Sequence, residues 1–174
     1  MGKVIEESTT MSEGSDPQDS LAQQGMDWGE LSHAVGTVVR LLRNELTTRI
    51  VDAYAPFGLR SGALSTMALI KANPDCSQSE IAREVAMDDS AMVAIIDDLE
   101  ARGLARRSRS TRDRRRNSLS LTPDGERVMA EMIGRAMAVE RPIHEALSEQ
   151  ELKTLMALLR RSYNAMLATP PDAT

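Results

Sequence analysis

Apolar residues recur three and four apart at Leu31, Val35, Val38, Leu42, Leu46 and Ile50, the period of one helix face. The spacing predicts a long amphipathic helix from a capping box at Asp27-Trp28-Gly29-Glu30 to Tyr54-Ala55-Pro56. A second helix is expected over 61–72, with Leu64, Met67 and Ile70 inward, stopped by Asn73-Pro74-Asp75. Ser77 and Glu80 then form a Ser-x-x-Glu capping box, with Cys76 and Ile81 placed as a hydrophobic staple, so a short helix over 77–85 follows. Asp88 can cap a fourth helix that turns Met92, Ile95, Ile96 and Leu99 inward and Ser90, Ala91, Val93, Ala94 and Asp97 outward. Gly103 supplies its left-handed end.

Beyond Gly103 the helical period gives way to alternation. Residues 104–108 are strand-compatible, Asn117-Ser118-Leu119-Ser120-Leu121 alternates polar and apolar, and an arginine-rich turn lies between them. Thr122-Pro123 opens another helix with a cap and a first-turn proline, with Val128, Met132, Ile133, Ala136 and Met137 on its inner face and Pro142 expected to kink or end it. A last helix starts at a second capping box, Ser148 to Glu151, and carries Leu152, Leu155, Leu159, Tyr163 and Met166 on one stripe.

Composition adds limits. At 174 residues and 41% hydrophobic content the chain suits one domain with an extension. Residues 1–26 are polar and acidic and read as a disordered tail, as do residues 169–174. The net charge of −5 conceals a division: seven acids against Lys3 in residues 1–30, but eight arginines against Asp113 in residues 102–116. That basic block is the first candidate for a polyanion site. One cysteine and two separated histidines, His33 and His144, leave neither a disulfide framework nor a zinc spacing, and no metal or cofactor is expected. The absence of an 18-residue apolar run or a signal-like N-terminus leads us to expect a cytoplasmic protein. Four aromatic residues are too few for a single-strand stacking platform, so duplex is the expected nucleic-acid partner.

Two short helices, a turn, and a hairpin with arginines at its tip is the order of a winged helix-turn-helix. Residues 59–125 resemble the MarR family of transcription regulators, on Cys76-Ser77-Gln78-Ser79-Glu80-Ile81-Ala82, on the run from Asp97 to Leu104, on Asp113-Arg114-Arg115 and on Leu121-Thr122-Pro123-Asp124-Gly125. The flanking helices extend the resemblance to about residues 28–167. It implies a mainly α fold with a small β-hairpin wing: a winged helix-turn-helix core (59–122) flanked by N- and C-terminal dimerisation helices (27–54 and 123–168) in a domain spanning 27–168. It also implies a homodimer on a pseudo-palindromic operator, most often a repressor, with a small effector between the dimer helices and the reading lobe.

Carried onto this chain, the resemblance makes Asp113 and Arg115 the wing's bracing pair and Arg112 and Arg114 its DNA contacts. Guanidinium forks onto phosphate and is favoured in narrow minor grooves, so Arg107, Arg109 and Arg116 can add backbone contacts. Ser90, Ala91 and Ala94 are small enough for close approach to base edges. Asp89 can cap its helix or accept from a cytosine amino group, and the cap is the favoured role. Ser77, Gln78 and Ser79 at a helix start can offer N–H groups to a phosphate. Arg83 and Arg102 are the nearest cations on the two helices of the motif. Aromatic carboxylates and their conjugates are common effectors among similar proteins, which makes Trp28, His33, Arg40, Tyr54 and Arg60 the candidate pocket residues.

Other readings stand beside this one. An enzyme is disfavoured by the lack of a glycine-rich phosphate loop, a nucleophile-base pair or a metal cluster. A winged-helix module that binds protein is kept open by Asp89 and Asp98, and a thiol-based redox regulator by Cys76 near a helix start.

Overall fold

The computed structural model describes residue 21, residues 26–109 and residues 117–169. Its contacts divide the chain into two units, Met1–Glu45 and Leu46–Thr174. Helix α1 (Val35–Tyr54) contributes its first part to one and its remainder to the other.

In the first unit, the helix expected from Asp27 begins only at Val35. A 3-10 turn, Gly29–His33, precedes it, and Ala34 is extended (φ −80°, ψ 118°), which interrupts the helical hydrogen-bond ladder. The capping box does not form: Asp27 Oδ1 accepts from the Gly29 N–H at 2.8 Å, two residues on rather than three. Leu31, Val35, Val38, Val39 and Leu42 are exposed, while Thr37 is buried.

The second unit continues α1 and follows it with α2 (Ala63–Ala72), α3 (Gln78–Glu84), α4 (Asp89–Ala101), β1 (Ala105–Arg109), β2 (Asn117–Leu121), α5 (Pro123–Ala146) and α6 (Glu149–Ala168). The strands form an antiparallel hairpin in which Ala105 pairs with Leu121, Arg107 with Leu119 and Arg109 with Asn117. The mainly α fold with its small β wing is therefore present. The Leu119 N–H also donates to the Cys76 carbonyl at 3.0 Å, which ties the hairpin to the chain just before α3.

Two apolar clusters hold this unit. Ala63, Met67, Ile95, Leu99, Leu104, Ala105 and Met129 form one, and Ile70, Cys76, Ile81, Ala82, Met92, Ile96 and Leu119 the other. Helix α2 contributes to both, and the four inward positions expected of α4 are all buried. The capping boxes at Ser77/Glu80 and Ser148/Glu151 are both complete. Helix α4 ends in a Schellman motif, with Leu104 N–H donating to the Leu99 carbonyl at 2.8 Å and Gly103 N–H to the Glu100 carbonyl at 2.9 Å. Gly103 at φ +69° makes that reversal without a β-carbon clash.

Pro142 does not end α5, which continues to Ala146. Nor are Ile133 and Met137 inside: both side chains are exposed, and the face of α5 that packs in the second unit is carried by Gly125, Met129 and Met132. Among the described residues no helix is long and apolar enough to cross a membrane.

Candidate nucleic-acid interface and ligand cavity

Helices α3 and α4 meet through a turn in which Ala86 adopts φ +51°. The cap of α4 is Asp88, not Asp89: Asp88 Oδ1 accepts from the Ala91 N–H at 2.8 Å and from the Ser90 hydroxyl at 2.5 Å. These two hydrogen bonds hold the Asp88 carboxyl below its ordinary pKa. Asp89 is the first helical residue, where its charge complements the helix N-terminus. Ser90 is exposed, and Ala91 and Ala94 are half-buried.

The acids later on α4 are structural. Arg102 Nε pairs with Asp98 at 2.9 Å, and the same guanidinium donates to the carbonyls of Phe57 (3.3 Å) and Gly58 (2.7 Å). Arg102 is thus engaged in holding the turn before α2, which takes it out of the set of cations available to phosphate. Arg107 on β1 is engaged as well. Its guanidinium reaches Asp97 at 2.7 Å, Glu100, and Gln78 Oε1 at 3.1 Å, while its backbone N–H donates to Glu100 Oε1 at 2.7 Å. Burial opposes the charge on Arg107, but the hydrogen bonds and charges of Asp97 and Glu100 outweigh it and raise the pKa. One side chain therefore fastens the wing to both helices of the motif.

At the start of α3, Glu80 engages one of the three N–H groups expected to meet a phosphate, that of Ser77. Its Oε2 accepts from the Ser77 N–H and from the Ser77 hydroxyl, each at 2.8 Å, and Ser79 Oγ lies 3.4 Å from Ser77 Oγ. On the hairpin, Arg109 is exposed and Arg106 Nε donates to Ser120 Oγ at 3.0 Å. Arg112, Asp113, Arg114, Arg115 and Arg116 lie outside the described residues.

Of the expected ligand residues, Tyr54 and Arg60 line a cavity of about 540 Å3 whose wall is otherwise largely apolar, with Ile50, Leu64 and Met132 contributing. Burial pushes the Tyr54 hydroxyl pKa up, and Glu140 adds to the rise. Tyr54 also meets Phe57 edge-on, with ring centroids 6.3 Å apart. Gly58, whose carbonyl Arg102 holds, lines the same cavity. Trp28, His33 and Arg40 belong to the first unit: the Arg40 guanidinium sits 5.8 Å from the Trp28 ring centroid, and His33 is the exposed end of the 3-10 turn.

The sequence reading missed the roles of Arg107 and Arg102, whose carbonyl or carboxylate partners are set by packing. It also placed Leu64 and Met132 in the core without seeing that they border a cavity. Cys76 is buried, and desolvation together with Glu80 and Asp75 raises its pKa, so the thiolate needed for oxidant sensing is disfavoured. Among the described residues no group of three or more His, Cys, Asp or Glu side chains could hold a metal ion.

Comparison with known proteins adds four findings. The family model for the MarR family matches residues 57–116. A Thauera aromatica protein, described as a candidate transcriptional regulatory protein for the hcr operon, is 34% identical over 115 residues, which span 66% of this chain and 69% of the relative. The structure of the transcriptional repressor CouR on a 23-mer DNA duplex matches with TM-score 0.71 and 29% identity, covering 79% of this chain and 98% of that one. CouR from Rhodococcus jostii RHA1 bound to p-coumaroyl-CoA is alike in fold, with TM-score 0.69 and 24% identity over 84% of this chain and 99% of that one.

Proposed function

The chain belongs to the MarR family of transcriptional regulators, and from that membership we propose that it is a homodimeric, cytoplasmic repressor that binds a pseudo-palindromic duplex and is released by a small aromatic acid or its conjugate. The observation that carries the reading is the Arg107 tie, which holds the wing at a fixed position relative to α3 and α4. A helix and a hairpin set rigidly to one another can enter a major groove and reach the adjacent backbone together. In this reading Ser90, Ala91 and Ala94 approach base edges, and Arg109, Arg112, Arg114 and Arg116 meet phosphates. Asp113 and Arg115 brace the wing tip, and Arg107 acts as a brace rather than a contact.

The cavity supports the release step. Its apolar wall suits an aromatic body, and Arg60 suits a carboxylate or phosphate. Gly58 is in that wall and accepts from Arg102 at the end of α4, so an occupant that shifts this turn also bears on the reading helix. Support for the dimer comes from apolar side chains left exposed late in the chain, including Leu159, Tyr163, Met166 and Leu167 on α6. The domain boundaries in this reading are flanking dimer segments over 27–54, helical from Val35, and 123–168, about a core of 59–122.

Fluorescence anisotropy on duplexes selected from a random pool tests this. Replacing Arg112 and Arg114 together by Ala should weaken binding and flatten the salt slope by roughly one unit per lost phosphate contact. Addition of p-coumaroyl-CoA, benzoate or p-coumarate to the wild-type complex tests release. Absence of salt-dependent duplex binding would favour the protein-binding module instead.

A further inference from the structure

Helix α4 exposes a stripe of Ser90, Val93, Asp97 and Ala101, spaced three and four apart. The polar members are engaged within the protein, since the Ser90 hydroxyl donates to Asp88 at 2.5 Å and Asp97 accepts from Arg107 at 2.7 Å. Between them Val93 is 38% exposed, and among the described residues from α2 through β2 no other large apolar side chain is as open to solvent. A single exposed apolar residue is ordinary on a protein surface. Its position is what matters: Val93 sits centrally on the face that a groove-entering helix presents, between small residues that approach base edges without blocking it and Asp97, which is committed to Arg107.

The floor of the major groove offers one apolar group, the 5-methyl of thymine. Val93 is short, so it can reach that methyl only if the helix backbone comes close, and Ser90, Ala91 and Ala94 around it leave room for such an approach. Asp89 and Asp97 give α4 no positive charge of its own on this face, so its contribution must come from shape and apolar contact, with attraction to phosphate supplied by the wing. We propose that Val93 is a specificity-determining residue whose γ-methyl groups meet the 5-methyl group of one thymine in each half-site. This inference rests on the reading of α4 as the helix that enters the groove.

The test is a uracil scan. The wild-type chain first selects its sites from a random duplex pool, and each thymidine of the enriched site is then replaced by deoxyuridine, which removes the methyl and keeps the base pairing. At one position per half-site the replacement should weaken wild-type binding about three- to fivefold, the worth of one buried methyl contact. Val93→Ala should bind the thymine duplex more weakly by a similar factor and be indifferent to the same replacement. Circular dichroism should show an unchanged fold, since the side chain is exposed. Additive losses at every thymine overturn the assignment while leaving the regulator reading intact. Failure of the wild-type chain to enrich any duplex sinks the DNA-binding reading and this contact with it.

Discussion

Gly125 and Leu104 meet backbone to backbone: a β-carbon on Gly125 would stand 1.9 Å from the Leu104 carbonyl oxygen. The approach is held from the neighbouring residues. Thr122 donates its N–H to that same carbonyl at 3.1 Å and its hydroxyl to the Gly103 carbonyl at 2.7 Å, while its Oγ1 accepts from the Gly125 N–H at 3.0 Å. The Leu-Thr-Pro-Asp-Gly run therefore seats the start of α5 on the chain leaving α4, at the base of the wing.

Gly125→Ala should accordingly lower the unfolding free energy by about 3 kcal/mol, because two backbone segments must separate to admit one methyl group. Thr122→Val should cost about 1–2 kcal/mol through loss of the cap and of the bond to Gly103. Urea denaturation of the two variants measures both. A Gly125→Ala chain as stable as the wild type would contradict the close approach.

Ala86 carries a left-handed conformation in the turn between α3 and α4, at φ +51°. A β-carbon is strained there and glycine is not, so Ala86→Gly should raise stability by about 0.5–1 kcal/mol, despite the greater freedom of glycine in the unfolded chain. Thermal unfolding followed by circular dichroism checks the sign, which is opposite to that expected at an ordinary helical or extended position.

Arg107 and Arg109 lie two residues apart on one strand and should behave differently. Arg107→Ala removes a partly buried guanidinium from Asp97, Glu100 and Gln78 and should cost about 1–2 kcal/mol of stability. Arg109→Ala should leave stability within about 0.5 kcal/mol and reduce the salt slope of duplex binding by about one unit. Equal stability of the two variants would remove the distinction between brace and contact.

Cys76 sets a pH dependence whose sign follows from its surroundings. Its pKa is raised in the folded chain by burial, Glu80 and Asp75, so on raising the pH the unfolded chain loses this proton first. The contribution of Cys76 to stability should therefore be intact below the ordinary thiol range and decline as the pH climbs through it. Chemical denaturation of the wild type and Cys76→Ser from neutral to alkaline pH isolates the effect. Alkylation by iodoacetamide should be slow in the native protein and rapid in denaturant.

Most of the secondary structure was legible because its causes are local. Capping boxes at Ser77 and Ser148, the proline after Thr122, the glycine after Arg102 and the change of period after Gly103 all act over one or two turns. Where local signals competed, the reading held only in part. Asp88 caps α4 as expected, while Asp89, also offered as a cap, is the first helical residue. Ala34 broke the first helix where the apolar spacing ran on unbroken. Pro142 lies within α5, which runs on past it to Ala146.

By itself the sequence determined the order of helices and hairpin, the caps that start them, the inward face of α4 and the concentration of positive charge in the wing segment. Only the tertiary structure decided what the charges around that segment do. The guanidinium of Arg107 finds Gln78 29 residues away, and that of Arg102 finds the Gly58 carbonyl 44 residues away. The cavity beside Tyr54 and the contact of Gly125 with Leu104 have the same origin. Periodicity and capping are properties of a short stretch of chain, whereas an ion pair, a cavity or a backbone contact exists only once distant stretches have packed.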